Sequence, residues 1–366
     1  MTIATSSPAA STSASEQQEK NRRAIRIWLG IVVLAIFALV LVGGATRLTN
    51  SGLSITEWQP IHGVIPPLNL KEWQEEFSLY QKIPQYELMN KGMTLDQFKG
   101  IYWWEWSHRF LARSIGMIFA LPLLFFWLTG RIEKQLRFRL LGILALGGLQ
   151  GFIGWWMVSS GLTQRTEVSQ YRLAIHLVMA CLIYSASIWV MHGLMPARKS
   201  AAPARSAKGF AIALFALVLF QIYLGALVAG LRAGYAYNTW PLMDGAFIPG
   251  DLFIQHPWWI NLFENVKTVQ FVHRCGAYLL LTVAFLNMMM SLSSAPNARA
   301  TRRSLILFLL ICAQATLGIL TLIWDVPFHV ALTHQAGALI VLGFAVAHLR
   351  LLVGPYPPEP QEQSRS

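Results

Sequence analysis

Apolar residues fall into eight long runs along the chain: Ile27 to Gly43, Phe110 to Leu128, Leu140 to Val158, Leu173 to Leu194, Phe210 to Leu231, Val269 to Leu292, Leu305 to Trp324 and Val330 to Val353. At about 18 residues or more, such a run can carry a helix across the hydrocarbon core of a bilayer. The pattern predicts eight transmembrane helices and an all-α integral membrane fold. Residues 1–26 open on a Ser/Ala/Thr-rich stretch, and residues 354–366 are rich in Pro, Glu and Gln. Both lack the apolar content that orders a chain and are expected as disordered tails. The first run exceeds a signal-peptide core and follows a long polar preamble, so it is read as an uncleaved helix.

Composition agrees with the pattern. Only 13% of residues are charged, against roughly 25% in soluble proteins, and mean hydropathy is +0.46. A soluble globule is excluded. Cys181, Cys275 and Cys312 all lie inside apolar runs and read as small core residues, not as a disulfide framework or a Cys-rich metal site. The net charge of +12 takes its meaning from its distribution. With the N-terminus inside, 17 of the 29 Lys and Arg fall on inner segments, including Arg22, Arg23 and Arg26, Arg131 to Arg139, Arg198 to Lys208, Arg299 to Arg303, Arg350 and Arg365. That bias predicts N-in, C-in topology, and it makes solvated inner loops a better account of the charge than nucleic-acid binding.

Two outer loops are long, 44–107 and 232–268, and both carry dense Pro/Trp patterns: Glu57-Trp58-Gln59-Pro60 and Asn238-Thr239-Trp240-Pro241. Loops of this size are uncommon unless functional, and an ordered outer cap is expected. The chain divides into a first four-helix half, 27–194, an inner linker, 195–208, and a second half, 209–353.

The halves repeat a few polar residues in register. His108-Arg109 opens the second run and His273-Arg274 the sixth, 165 residues apart. Gln150 and Gly154 in the third match Gln314 and Gly318 in the seventh, and His176 matches His334. Four helices per half give both halves one orientation, hence a parallel repeat of two pseudo-symmetric bundles.

All four histidines lie near the start of helices that enter from outside, so they share one depth in the outer leaflet. Two per half, on non-adjacent helices, suit the two axial nitrogens of a haem iron in a four-helix bundle. Two haem sites are expected. The competing reading, a hydrogen-bonded packing histidine, holds better for one histidine alone than for a duplicated, depth-matched set. Zinc fits less well, because no His or Cys pair has the short spacing of a structural site.

The halves differ beside the histidines. Glu105 precedes His108 by three residues, and the matching residue is Gln270. A carboxylate at one site and an amide at the other suggest a reactive first site and a structural or electron-transferring second one; alternatively, Glu105 caps the first turn of its helix. Arg109, Arg172 and Arg274 are candidates for haem propionates or for interfacial anchors. A dihaem b-type cytochrome that only carries electrons across the membrane is the alternative function, although it needs haems at opposite depths. A transporter would need broken helices with charge at the midplane, which the runs do not show.

These residues resemble a known family. Gly43-Gly44-Ala45-Thr46-Arg47-Leu48-Thr49, continuing through Ser51-Gly52-Leu53-Ser54 to Glu57-Trp58-Gln59-Pro60, together with Glu105-Trp106-Ser107-His108-Arg109, Asn238-Thr239-Trp240-Pro241-Leu242-Met243 and Thr333-His334-Gln335, is similar to haem A synthase from about Trp28 to Arg350. Some members carry a cysteine pair in the first outer loop; 44–107 has none, as in the proteobacterial and mitochondrial branch. The resemblance implies that the first half holds substrate haem O between His108 and His176, that the second holds a permanent haem b between His273 and His334, and that Glu105 is the catalytic carboxylate. It further implies oxidation of the haem O C8 methyl to a formyl group by two hydroxylations and loss of water, supplying haem A to terminal oxidases. Implied partners are haem O synthase, an unidentified electron donor, membrane lipid and a second copy of the chain, with no nucleic acid. The implied location is the inner (plasma) membrane of a bacterium, multi-pass, with the haem sites towards the periplasm.

Overall fold

The computed structural model describes residues 8–58, 62–163, 165–196, 205–293 and 298–357. Residues 1–7 and 358–366 of the expected tails, Gln59-Pro60, and Arg198, Lys199 and Arg365 of the inner charge set lie outside them. The described chain is helical, with α1 (Pro8–Leu48), α2 (Leu70–Tyr80), α3 (Pro84–Met89), α4 (Leu95–Leu128), α5 (Lys134–Ser159), α6 (Gln170–Gly193), α7 (Arg205–Gly230), α8 (Asn261–Glu264), α9 (Val266–Ser293), α10 (Ala298–Ile323) and α11 (Phe328–Val353). Eight of these are long and apolar enough to span a membrane: α1, α4, α5, α6, α7, α9, α10 and α11.

The spans pack as two groups. In the first, α1 packs on α4 and α6, and α5 on α6; in the second, α7 packs on α9 and α11, and α10 on α9 and α11. Contacts of α6 with α7, α6 with α11, and α1 with α11 join the groups, so α1, α6, α7 and α11 form the centre and the other four spans the flanks. The largest buried apolar cluster runs through this centre and includes Leu29, Val32, Cys181, Leu214 and Leu342. The flanking faces stay apolar and exposed, as at Leu124, Phe152 and Leu309, as expected of surfaces that meet lipid.

Several boundaries differ from the apolar runs. The second span begins at Leu95, not Phe110: Thr94 and Gln97 form a capping box, and the added turns bury Phe98 and Tyr102 against Trp73, Phe77 and Tyr80 of the cap. The described parts of loop 44–107 thus form a cap, with α2 packed on α4 and Tyr86 of α3 against Phe77 and Tyr80 of α2. At the N-terminus, α1 begins at Pro8 rather than after a tail ending at 26. Ala, Glu, Gln and Lys are good helix formers and prolong a helix already nucleated in the membrane span. Arg22 anchors this extension. It is 7% exposed, bonds Glu133 at 2.5 and 2.8 Å, and donates to the carbonyls of Tyr356 and Pro357. Residues 354–357, expected as tail, are therefore docked: the Tyr356 N–H donates to the Gly193 carbonyl at 2.6 Å, and its ring stacks under the Arg350 guanidinium. The N-terminal helix, the α4–α5 turn and the C-terminal segment meet at one end of the molecule.

Candidate active site

Each of the four histidines projects from one helix onto a glycine of a neighbour. A Cβ added at Gly43 of α1 would lie 3.0 Å from the His108 ring of α4; at Gly154 of α5, 3.0 Å from His176 of α6; at Gly225 of α7, 3.2 Å from His273 of α9; and at Gly318 of α10, 2.8 Å from His334 of α11. The missing side chain gives each imidazole its room. His108 and His176 lie within electrostatic reach of each other, as do His273 and His334. The rings are thus paired within each half. His176 and His334 each stand six residues after the start of their helices. His108 stands 13 residues in, because α4 is prolonged at its N-terminal end.

Three of the four rings meet a glutamine one turn before that glycine. Nε2 of Gln150 lies 3.2 Å from His176 Nδ1, that of Gln221 3.1 Å from His273 Nδ1, and that of Gln314 3.1 Å from His334 Nδ1. Each amide also donates to the carbonyl of the same histidine. The Oε1 atoms of all three glutamines are buried without a partner. This donor set fits a haem. An iron-bound imidazole is protonated at Nδ1 and needs an acceptor there, and turning each amide end for end presents the orphaned oxygen, in exchange for the bond to the carbonyl.

Glu105 is 2% exposed beside the first pair. Its Oε2 accepts from Ser54 Oγ at 2.8 Å and the Ile55 N–H at 2.9 Å, while Oε1 accepts from Arg109 Nη2 at 2.5 Å. The turn-cap alternative is overturned, because α4 starts well before Glu105. Arg109 continues to the carbonyls of Ile55 and Glu57, so the loop after α1 wraps the carboxylate–guanidinium pair. In the second half, Arg274 Nη2 donates to Gln270 Oε1 at 3.0 Å and to the Tyr237 carbonyl, while Gln270 Nε2 donates to Ala233 and Tyr237 carbonyls. The frameworks match and the charge does not. Arg172, the third candidate arginine, donates to the Trp156 carbonyl at 2.6 Å and stacks on the Trp156 ring, tying α6 to α5.

Sequence reasoning found the histidines, Glu105 and two of the glutamines but missed Gln221, Ser54 and Ile55. Gln221 carried a signal, the same four-residue spacing to a glycine. Ser54 and Ile55 reach Glu105 only through the tertiary fold.

The chain matches a family model described as Cytochrome oxidase assembly protein over residues 26–346. It is 69% identical over 364 residues to Heme A synthase of Allorhizobium ampelinum, covering 98% of this chain and all of that protein. It is 66% identical to Heme A synthase of Rhizobium etli, over 93% of each chain, and 66% identical to that of Rhizobium meliloti, over 93% of this chain and 92% of the relative. Near-complete coverage in both directions carries the match through all eight spans and the loops between them: the chain belongs to the Cox15-CtaA family of cytochrome oxidase assembly proteins.

Proposed function

We infer that this protein is a haem A synthase, an oxidoreductase that converts the C8 methyl of haem O to the formyl of haem A. The observation that carries the reading is the unequal pair of duplicated sites: two histidine pairs in matching cradles, only one of them beside a buried carboxylate. His108 and His176 would hold substrate haem O, and His273 and His334 a resident haem b. Haem iron supplies the oxidising chemistry, which side chains alone do not provide.

The protein's part is orientation and charge. Ser54 and the Ile55 N–H fix one oxygen of Glu105 and Arg109 fixes the other, so the carboxylate is held ready to stabilise positive charge or take a proton at the substrate methyl. Gln270 offers no such charge, which suits a site that holds haem without modifying it. Arg109, Arg172 and Arg274 remain candidates for propionates, since a guanidinium can serve carbonyls and a carboxylate together. The basic inner segments support N-in, C-in insertion in the inner membrane with both sites periplasmic. Haem O synthase is the expected supplier of substrate. A cytochrome that only carries electrons across the membrane is disfavoured by the shared outer position of the four histidines.

The test is co-expression with a haem O synthase in a bacterium lacking haem A, followed by extraction and chromatography of membrane haems. Haem A is expected. Haem O alone, with the protein present and haem-loaded, would overturn the reading.

A further inference from the structure

The four histidine cradles follow one rule with one exception. A glutamine stands four residues before the glycine in Gln150/Gly154, Gln221/Gly225 and Gln314/Gly318, but Leu39 stands before Gly43. α1 therefore brings no amide to His108. Two further features single out the helix that carries it. Contact between α4 and α5 is sparse, whereas the corresponding α9 and α10 pack closely. α4 also contains Pro122, where the register that pairs His108 with His273 puts Asn287 in α9. A proline in a helix interior removes one backbone hydrogen bond and loosens the helix at that point.

We propose that His108 is the exchangeable ligand of the first half: His176, oriented by Gln150, keeps hold of the haem, while His108 lets go to admit haem O and release haem A on the open side between α4 and α5. This rests on the haem reading of the site and adds to it a division of labour between two histidines of one pair. An amide acceptor on Nδ1 orients the ring and raises its basicity, and such outer partners are worth about 10–100-fold in metal affinity. His273 and His334 each have a glutamine amide at Nδ1 that can turn its free oxygen there, as befits a haem that stays. Among the described residues no amide reaches the His108 ring, which turns Nε2 to Gly43 where the other three rings turn Cε1 to their glycines, and a substrate must leave. Leu39 is thus the position at which α1 departs from the other three cradles.

The test uses purified, haem-loaded protein reduced with dithionite and exposed to carbon monoxide, which binds iron only where a protein ligand yields. Wild type should bind carbon monoxide at one of its two haems. Leu39→Gln should slow that binding about tenfold, with Leu39→Met as a packing control that leaves it within about twofold. His108→Ala should retain first-half haem, now five-coordinate and fully reactive with carbon monoxide, whereas His176→Ala should lose it. Carbon monoxide binding equally at both haems or at neither, or equal haem loss from His108→Ala and His176→Ala, would overturn the proposal while leaving the haem reading intact. A protein with no Soret absorption would overturn both.

Discussion

Glu105 Oε1 and Arg109 Nη2 meet at 2.5 Å across one turn of α4, and Gln270 Oε1 and Arg274 Nη2 meet at 3.0 Å across one turn of α9. Geometry is kept while a negative charge is exchanged for a neutral amide. Glu105→Gln makes the first half resemble the second. It should keep haem in both halves, because the amide oxygen can still accept from Arg109 while its Nε2, facing the Ile55 N–H, gives up only that local loop contact, but stop the conversion of haem O at the second oxidation or at both. Chromatography of extracted haems checks this, and full conversion to haem A by Glu105→Gln would remove the proposed role.

The glycine cradles predict haem loss confined to one half. Gly154→Val places branched carbons against the His176 ring, and Gly318→Val does the same to His334. Overpacking of this kind forces side chains from their places at about 1–3 kcal/mol. The haem-to-protein ratio should fall by about half in each variant. Gly154→Val should lose haem O and haem A, and Gly318→Val haem b.

Gln335 predicts a rescue. Its Nε2 donates to the Val40 carbonyl at 2.8 Å, and its amide fills the space where a Cβ on Gly44 would go. Gly44→Ala should therefore lower thermal stability by about 1–3 kcal/mol, and adding Gln335→Ala should recover most of it. Additive losses in the double variant would contradict the contact between α1 and α11.

The Arg22–Glu133 pair predicts a pH dependence. Burial raises the Glu133 carboxyl, but the bonds from Arg22, aided by Gln135, outweigh it and hold the group below its ordinary value. A depressed carboxylate stabilises the fold above its ordinary pKa, and that contribution is lost as pH falls through the folded value. Thermal unfolding should show an acid limb below the ordinary carboxylate range that Glu133→Gln removes. Arg22→Ala, which strands a buried carboxylate, should cost about 3 kcal/mol at neutral pH.

How much of this was legible in the sequence depends on the distance over which each feature is encoded. The eight spans were, because length and hydropathy are local. The N-terminal half of α4 was not, because it carries Asp96, Gln97 and Lys99, which interrupt the apolar run, although Thr94 and Gln97 spell a capping box. Gln221 has no match between the halves, because its counterpart is Leu39. The clasp on Glu105 was illegible: Ser54 and Ile55 are about fifty residues away and arrive only when the loop after α1 folds onto α4.

In the proposed division of labour, one half holds the haem that is modified and the other the haem that stays. Its most direct measurement is the identity of the haems extracted from purified His176→Ala and His273→Ala proteins, each co-expressed with a haem O synthase. His176→Ala should keep haem b and lose haem O and haem A, and His273→Ala should lose haem b. The same haem missing from both variants would contradict it.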